Sequence, residues 1–370
     1  MMLEPPYEIF LSAPPGLETA LLAEAQAKGF AASVAVPGGV TVSGGWPEVW
    51  RANLDLRGTG RVLVRVASFM AFHLAQLDKR ARKLPWGELL APGTPVKVEA
   101  TSHASKIYHA GAAADRIASA AAAALGPAAD GAVPVRVLVR IDDNRVTLSL
   151  DTSGEPLHKR GQKEAVGKAP LRETLAALFL HEAGFRGTEP VVDPMCGSGT
   201  LVIEAAEIAA GLLPGRARRF AFEGFPGFDA AAFAALRHRP AGPPPALRFH
   251  GFDRDAGAIR GATANADRAE VAELTRFACQ PLGALEPPEG PPGLVIANPP
   301  YGARIGNKRP LFALYGSFGE VMRTRFAGWR AALITSDPQL ARATGLPFRE
   351  GPPVDHGGIK VRLYQTGPLG

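Results

Sequence analysis

Residues 191–210 constrain the fold more than any other stretch. Val191-Val192-Asp193 is an apolar strand ending in a carboxylate, Gly197 and Gly199 make the following turn, and Leu201–Ala210 has helical spacing. A strand, a glycine turn and a helix in that order open a βαβ unit, whose next strand runs parallel to the first. The chain supplies that strand at Phe249–Asp253, again ending in a carboxylate, then helix Ala256–Ala266 and strands Arg276–Ala278, Gly293–Ala297 and Ala331–Ser336. Helix Leu171–Ala183 precedes the series. The alternation predicts an α/β, Rossmann-like domain with a doubly wound, mostly parallel sheet, whose ligands sit at the carboxyl ends of the strands.

Upstream the pattern is α+β. Strand Glu8–Ser12, helix Leu17–Lys28, strand Val40–Val42 and helix Trp46–Leu54 fill the first segment. Strand Arg61–Phe69, helix Leu74–Lys83, strand Val96–Thr101, helix Ala110–Leu125 and strands Val135–Ile141 and Arg145–Leu150 fill the second, with Asp143-Asn144 as a hairpin turn. The expected domains are therefore 1–60, 61–152 and 153–370, the last entered through a basic linker at 152–168. Lys79, Arg80, Arg82, Lys83, Lys97 and Lys106 gather in the middle segment, interleaved with His103, Tyr108 and His109. That combination suits a phosphate backbone, although solvated helix faces have the same composition.

Composition bounds the chemistry. With 370 residues, 46% of them hydrophobic, each segment has enough apolar side chains for a core. The two cysteines, Cys196 and Cys279, draw neither a disulfide framework nor a metal cluster, so no metal is expected. Apolar stretches too short to span a bilayer, and acidic Glu4 and Glu8 in place of a basic leader, set the expectation of a cytoplasmic protein without a membrane partner. A net charge of +6 is compatible with a polyanionic partner without requiring one.

The strand Leu294–Ala297 runs straight into Asn298-Pro299-Pro300-Tyr301. Two consecutive prolines fix φ and remove two N–H donors, so this strand end presents acceptors. The Asn298 amide oxygen and the Pro299 carbonyl are suited to accept both hydrogens of an exocyclic amino group on a nucleobase, and the Tyr301 ring to stack on a base swung out of its helix. This points to group transfer onto a base amino nitrogen. A rigid Pro-Pro turn behind a buried tyrosine is the plainer alternative.

No lysine follows Gly199, which disfavours a nucleoside triphosphate loop. The glycines and Asp253, a ribose-gripping carboxylate, fit either a dinucleotide or an adenosyl cofactor. Asp193, directly ahead of the glycine turn, suits a cationic amino-acid group better than a pyrophosphate, and a dehydrogenase has no use for Asn298–Tyr301. S-adenosylmethionine is the expected cofactor.

With Asp193–Thr200 and Asn298–Tyr301 taken together with Leu157-His-Lys-Arg-Gly161, Ala169-Pro-Leu-Arg-Glu-Thr174, Ser105–His109 and Gly357–Tyr364, the chain resembles the THUMP-domain RNA guanine methyltransferases. The resemblance runs from about Phe10 to Leu369 and is greatest to the type acting on the guanine 2-amino group of large-subunit ribosomal RNA. A tRNA-directed branch shares the same parts. It implies a ferredoxin-like unit, a THUMP RNA-binding module and a Rossmann-like methyltransferase domain. It also implies that Asp193, Cys196, Gly197, Gly199 and Thr200 line the methionine end of the cofactor and that Pro170, Leu171 and Thr174 close it. Asp253 would hold the ribose, and Asn298, Pro299, Pro300 and Tyr301 would form the catalytic base pocket with Asn298 also facing the cofactor. Gln280 stands where many members carry an aspartate for the adenine amino group, and its amide oxygen can accept the same hydrogen bond. Arg304 is a further candidate RNA contact. Rival readings are a tRNA guanosine methyltransferase, a DNA adenine methyltransferase, a nicotinamide-dependent oxidoreductase and a non-catalytic RNA-binding protein.

Overall fold

The alternation of apolar and polar residues in the first half builds a single antiparallel-rich sheet. The computed structural model describes residues 5–31, 33–164, 171–239, 242, 245–301 and 309–370. The strands are β1 (Tyr7–Ser12), β2 (Val34–Val36), β3 (Gly39–Gly44), β4 (Val62–Met70), β5 (Val96–His103), β6 (Val135–Asp142) and β7 (Arg145–Asp151), in the order β2-β3-β1-β4-β7-β6-β5. β4 pairs with β1 on one edge and β7 on the other. The expected boundary near residue 60 thus falls inside one continuous sheet. Asp143 and Asn144 turn the β6–β7 hairpin with φ of 45° and 59°, the left-handed pair that a two-residue hairpin loop requires.

The helices here are α1 (Glu18–Ala27), α2 (Trp46–Asp55), α3 (Leu74–Ala81), α4 (Trp86–Leu89) and α5 (Ala110–Leu125). Alanine-rich α5 has high helix propensity and buries Ala113, Ile117, Ala120, Ala121 and Leu125 on one face, and those small side chains let it lie close on β5. α3 packs against α5 in the same layer.

The second half folds as the βα alternation predicts. It comprises α6 (Glu173–Glu182), β8 (Val191–Asp193), α7 (Thr200–Ala209), α8 (Ala230–Arg237), β9 (Phe249–Asp253), α9 (Ala256–Arg268), β10 (Thr275–Cys279), β11 (Leu294–Ala297), α10 (Arg309–Arg325), β12 (Arg330–Thr335), α11 (Pro338–Ala343), β13 (Arg349–Glu350), β14 (Val354–His356) and β15 (Ile359–Pro368). The sheet order is β10-β9-β8-β11-β12-β15-β13, parallel from β10 to β12, with β15 antiparallel between β12 and β13. Every residue of β11 is buried, as expected of a central parallel strand covered on both faces. α10 is absent from the expected elements because Gly316 and Gly319 lower its helix propensity. Gly319 is required by packing: a Cβ there would stand 1.7 Å from the Thr344 carbonyl oxygen.

The chain divides into two compact units, 1–12 with 25–157 and 218–239, and 13–24 with 158–217 and 240–370. Residues 218–239 therefore belong with the first unit although they lie inside the sequence range of the second. The reason is aromatic. Phe222 and Phe233 meet edge to face at 5.0 Å, and Trp50 of α2 contacts Phe222, Phe228 and Phe233 at 5.6–6.3 Å between centroids. Each such pair contributes about 0.5–1.5 kcal/mol beyond its buried area. Arg218 adds hydrogen bonds to the carbonyls of Glu155 and Pro156, at 2.7 and 2.9 Å.

Candidate active site

Four strand ends converge in the second unit. β10, β9, β8 and β11 are successive neighbours, so Gln280, Asp253, Asp193 and Asn298, at or just beyond their carboxyl ends, follow one another along one edge of the sheet. The turn between β8 and α7 is fastened to β9: the Cys196 N–H donates to the Phe252 carbonyl at 2.9 Å and the Gly197 N–H to Asp253 Oδ2 at 3.0 Å. The two glycines do different work. Gly199 (φ 81°) is needed for packing, since a Cβ would lie 3.0 Å from Ala262 Cβ and 3.1 Å from the Phe277 ring. Gly197 (φ 52°) has nothing within 4 Å of that position, which leaves its backbone open to a ligand.

Asp193 is 2% exposed. Its Oδ1 accepts the Met195 N–H at 3.0 Å, and burial, reinforced by the Asp253 carboxylate, pushes its carboxyl up to about 8. No lysine or arginine offsets this among the described residues. A cationic ligand group would supply the missing charge. Asp253 accepts the Gly197 N–H on Oδ2 and the Asp255 N–H on Oδ1, at 3.0 Å each, and each oxygen keeps a further lone pair for a ligand hydroxyl. Burial pushes the Cys196 thiol far up, so it stays protonated and packs within the turn. Gln280 is exposed, and its Nε2 donates to the Ala284 carbonyl at 3.2 Å, an orientation that keeps its oxygen as an acceptor. Leu171 and Thr174 are buried at the start of α6.

Asn298 Oδ1 is buried and has no hydrogen-bond partner among the described residues. Leaving a buried carbonyl oxygen unpaired costs roughly 1–3 kcal/mol, so the position is explained by an incoming donor. Pro299 is buried and Pro300 exposed. Tyr301 is half-buried against the core, and burial pushes its hydroxyl up to about 12, which keeps the ring neutral. Behind this loop stands Tyr315 of α10, a residue the sequence did not single out. It is buried, and its hydroxyl lies 3.5 Å from the Pro300 carbonyl oxygen. With two prolines supplying no N–H, the loop draws its donor from this side chain.

Pro170 and Arg304 lie outside the described residues. Among the described residues no group of three or more His, Cys, Asp or Glu side chains is placed to hold a metal ion, and no helix is long and apolar enough to cross a membrane.

In the first unit, the expected RNA contacts do not share one face. Lys79 and Arg80 occupy the last turn of α3, followed by Arg82 and Lys83, and Arg82 is ion-paired to Asp78 at 2.8 Å. Lys97 projects from the side of β5 opposite its half-buried Val96, Val98 and Ala100, with Glu99 4.0 Å away. Lys106 lies in the β5–α5 loop, its ammonium 5.6 Å from the Phe72 ring centroid, and Tyr108 beside it is 75% exposed. The loop is braced: Asn144 Oδ1 accepts the Lys106 N–H at 2.8 Å, and Ser105 Oγ accepts the Asn144 N–H at 2.9 Å.

Residues 160–355 match the family model described as RMKL-like, methyltransferase domain. The chain belongs to the RMKL-like methyltransferase family. Residues 8–63 match a second model, the RlmL ferredoxin-like domain. Both the family and the mostly parallel α/β fold expected from the motifs are therefore established. The ribosomal RNA large subunit methyltransferase K/L of Syntrophotalea carbinolica is 36% identical over 384 aligned positions, covering 98% of this chain and 53% of the relative. The chain spans about half the length of the curated relatives it matches. Among solved structures, SMU.472, named a methyltransferase and complexed with SAH, superposes with a TM-score of 0.89 at 26% identity over 100% of both chains. A protein from Listeria monocytogenes named as a predicted N6-adenine-specific DNA methylase gives 0.88 at 29% identity over 98% of this chain and 96% of its own. RMKL-like membership gives the strand-end carboxylates and the Asn298 loop a common setting in a methyltransferase domain.

Proposed function

We propose that the chain transfers a methyl group from S-adenosylmethionine to the exocyclic 2-amino group of a guanosine in RNA, with large-subunit ribosomal RNA as the target. The observation that carries this reading is the buried, unpartnered Asn298 Oδ1 at the end of β11, one strand from the buried carboxylate of Asp193. The relatives' ribosomal RNA names support the substrate class, and the SAH complex of SMU.472 supports the cofactor.

In this reading Asp193 meets the ammonium of the methionine moiety, the open backbone at Gly197 and the turn through Cys196, Gly199 and Thr200 receive its chain, and Leu171, Thr174 and Pro170 close it. Asp253 takes the ribose hydroxyls and Gln280 the adenine amino group. Bound S-adenosylmethionine supplies an electrophilic methyl on a positively charged sulfur, with a neutral thioether as leaving group. Asn298 Oδ1 and the Pro299 carbonyl accept the hydrogens of the target amino group and direct its lone pair, while Pro300 stiffens the loop and the Tyr301 ring stacks on the base. The N–C bond forms as the C–S bond breaks, and the nitrogen then loses a proton to water. S-adenosylhomocysteine should raise the melting temperature in proportion to its saturation, and NAD should leave it unchanged. The reverse result would replace this reading with an oxidoreductase.

Asp193 gives the cofactor affinity a pH dependence. With its pKa raised from 3.8 to about 8, the folded protein without cofactor holds a proton that the unfolded chain releases. This group's contribution to stability is therefore full below pH 3.8 and is lost as pH rises through about 8. Binding an ammonium requires the ionised form, so S-adenosylhomocysteine affinity should fall about tenfold per pH unit below 8. Calorimetry between pH 6 and 8 checks this, and a flat profile would remove Asp193 from the cofactor site.

Lys79, Arg80, Arg82, Lys83, Lys97, Lys106 and Arg304 are the proposed RNA contacts. Phosphate contacts release counterions, so the affinity of the whole chain for structured rRNA fragments should fall steeply with salt, and Lys106→Ala should flatten the salt slope by about one. Gel-shift titrations at two salt concentrations, against rRNA fragments, tRNA and duplex DNA, check it. The name of the Listeria relative favours a second reading, DNA adenine methylation, and tighter binding to duplex DNA than to RNA would promote it.

A further inference from the structure

The segment ahead of α6 is strapped to α7 by three side chains. Arg160 Nη2 meets Glu204 Oε1 at 3.0 Å with side chains 4% and 2% exposed. The Gln162 amide fits between Glu207 Oε1, 3.2 Å from its nitrogen, and Arg216 Nη2, 2.8 Å from its oxygen. Lys163 completes the strap. Its ammonium donates to Thr200 Oγ1 at 2.8 Å and to the Leu171 carbonyl at 3.0 Å, and pairs with Glu173 Oε1 at 3.2 Å. These partners are enough to use all three ammonium hydrogens. The Lys163 and Glu173 side chains are 16% and 12% exposed, so this pair is less screened than a surface bridge.

A cavity of about 30 Å³ lies among Arg160, Lys163, Glu173, Ser198, Thr200 and Asn265. That space holds about one water and no cofactor, so the cluster braces its surroundings. The braced parts are the glycine turn and the start of α6. Asn265 Nδ2 donates to the Ser198 carbonyl at 3.0 Å and Ser198 Oγ lies 3.3 Å from Thr200 Oγ1, which fixes the turn from the α9 side. Lys163 joins the turn to the residues just before Thr174.

We infer that Lys163 is a positioning residue for the methionine end of the cofactor, clamping Leu171 and Glu173 to Thr200 so that the start of α6 and the glycine turn keep the spacing that receives the amino-acid tail. This rests on the placement of that tail between Thr174 and the turn. The adenosine side is held independently by Asp253 and Gln280, whose hydrogen bonds do not involve Lys163. The clamp therefore bears on one half of the ligand only.

Calorimetry of the full chain with S-adenosylhomocysteine and with 5′-methylthioadenosine, which lacks the amino-acid tail, separates the possibilities. Lys163→Met should weaken S-adenosylhomocysteine about tenfold and leave 5′-methylthioadenosine within about twofold, with Lys163→Arg restoring most of the loss. Unchanged affinity for both ligands in folded Lys163→Met overturns the inference, and so does an equal loss for both, which marks a merely structural lysine. Should Lys163→Met not fold, Lys163→Gln removes the charge with less disturbance and is read by the same two ligands. If the wild-type chain binds S-adenosylhomocysteine no tighter than 5′-methylthioadenosine, the placement of the tail fails, and the inference falls with it for a reason distinct from Lys163.

Discussion

Asn298→Ala is expected to slow single-turnover methylation by about a hundredfold or more, the usual effect of removing one preorganised polar contact from a transition state. S-adenosylhomocysteine affinity should stay within about twofold of wild type, because the lost contact is to the nucleobase and not to the cofactor. Asn298 Oδ1 is the group at stake: it is buried without a partner in the unliganded protein, so deletion leaves no orphan and should not unfold the chain. Tyr301→Phe is the matched control. Its ring still stacks and its hydroxyl stays neutral, so the loss should be small. Rapid-quench methylation of an unmodified rRNA fragment, with the cofactor saturating, measures both variants. An Asn298→Ala variant as fast as wild type would remove the amide from the chemistry, and a Tyr301→Phe variant as slow as Asn298→Ala would give the hydroxyl a direct part.

Asp253→Ala should weaken S-adenosylhomocysteine by about 1.5–3 kcal/mol through loss of ribose hydrogen bonds to a charged acceptor. The structure adds a second cause. Asp253 Oδ2 anchors the Gly197 N–H, and Oδ1 accepts the Asp255 N–H where Asp255 caps α9, so the variant also loosens the open side of the glycine turn. Both effects act in the same direction, which places the expected loss at the upper end of that range. Calorimetry on the folded variant decides it, and an unchanged affinity would take the ribose away from Asp253.

How much of this was legible in the sequence follows from what each residue interacts with. Val191–Asp193, Phe249–Asp253 and Leu294–Ala297 were readable because central parallel strands are apolar throughout and end at sharp boundaries. The Asp143-Asn144 turn was readable because its conformation is local. α10 was not, since its glycines are demanded by the approach of Thr344, a contact between segments distant in sequence. Residues 218–239 were unread for the same reason: their phenylalanines are organised by Trp50, far away in the chain.

The site divides in the same way. Asp193, Asp253 and Asn298 announced themselves by position at strand ends, where the fold puts ligands. Tyr315 and Lys163 did not, because one acts through the Pro300 carbonyl and the other through Thr200 and Leu171, pairings that exist only once helices and turns have packed. The basic residues were legible as charge but not as geometry. Lys97 and Lys106 project from different parts of the first unit, and Arg82 is occupied by Asp78.

The most direct test is to identify the methylated product. The purified chain, isotopically labelled S-adenosylmethionine and either unmodified large-subunit rRNA or duplex DNA would be incubated, and the nucleic acid digested to nucleosides for mass spectrometry. The account predicts label in N2-methylguanosine from rRNA and none in DNA, with the signal abolished in Asn298→Ala. Label in N6-methyladenine from DNA, or in any RNA nucleoside other than N2-methylguanosine, would contradict it.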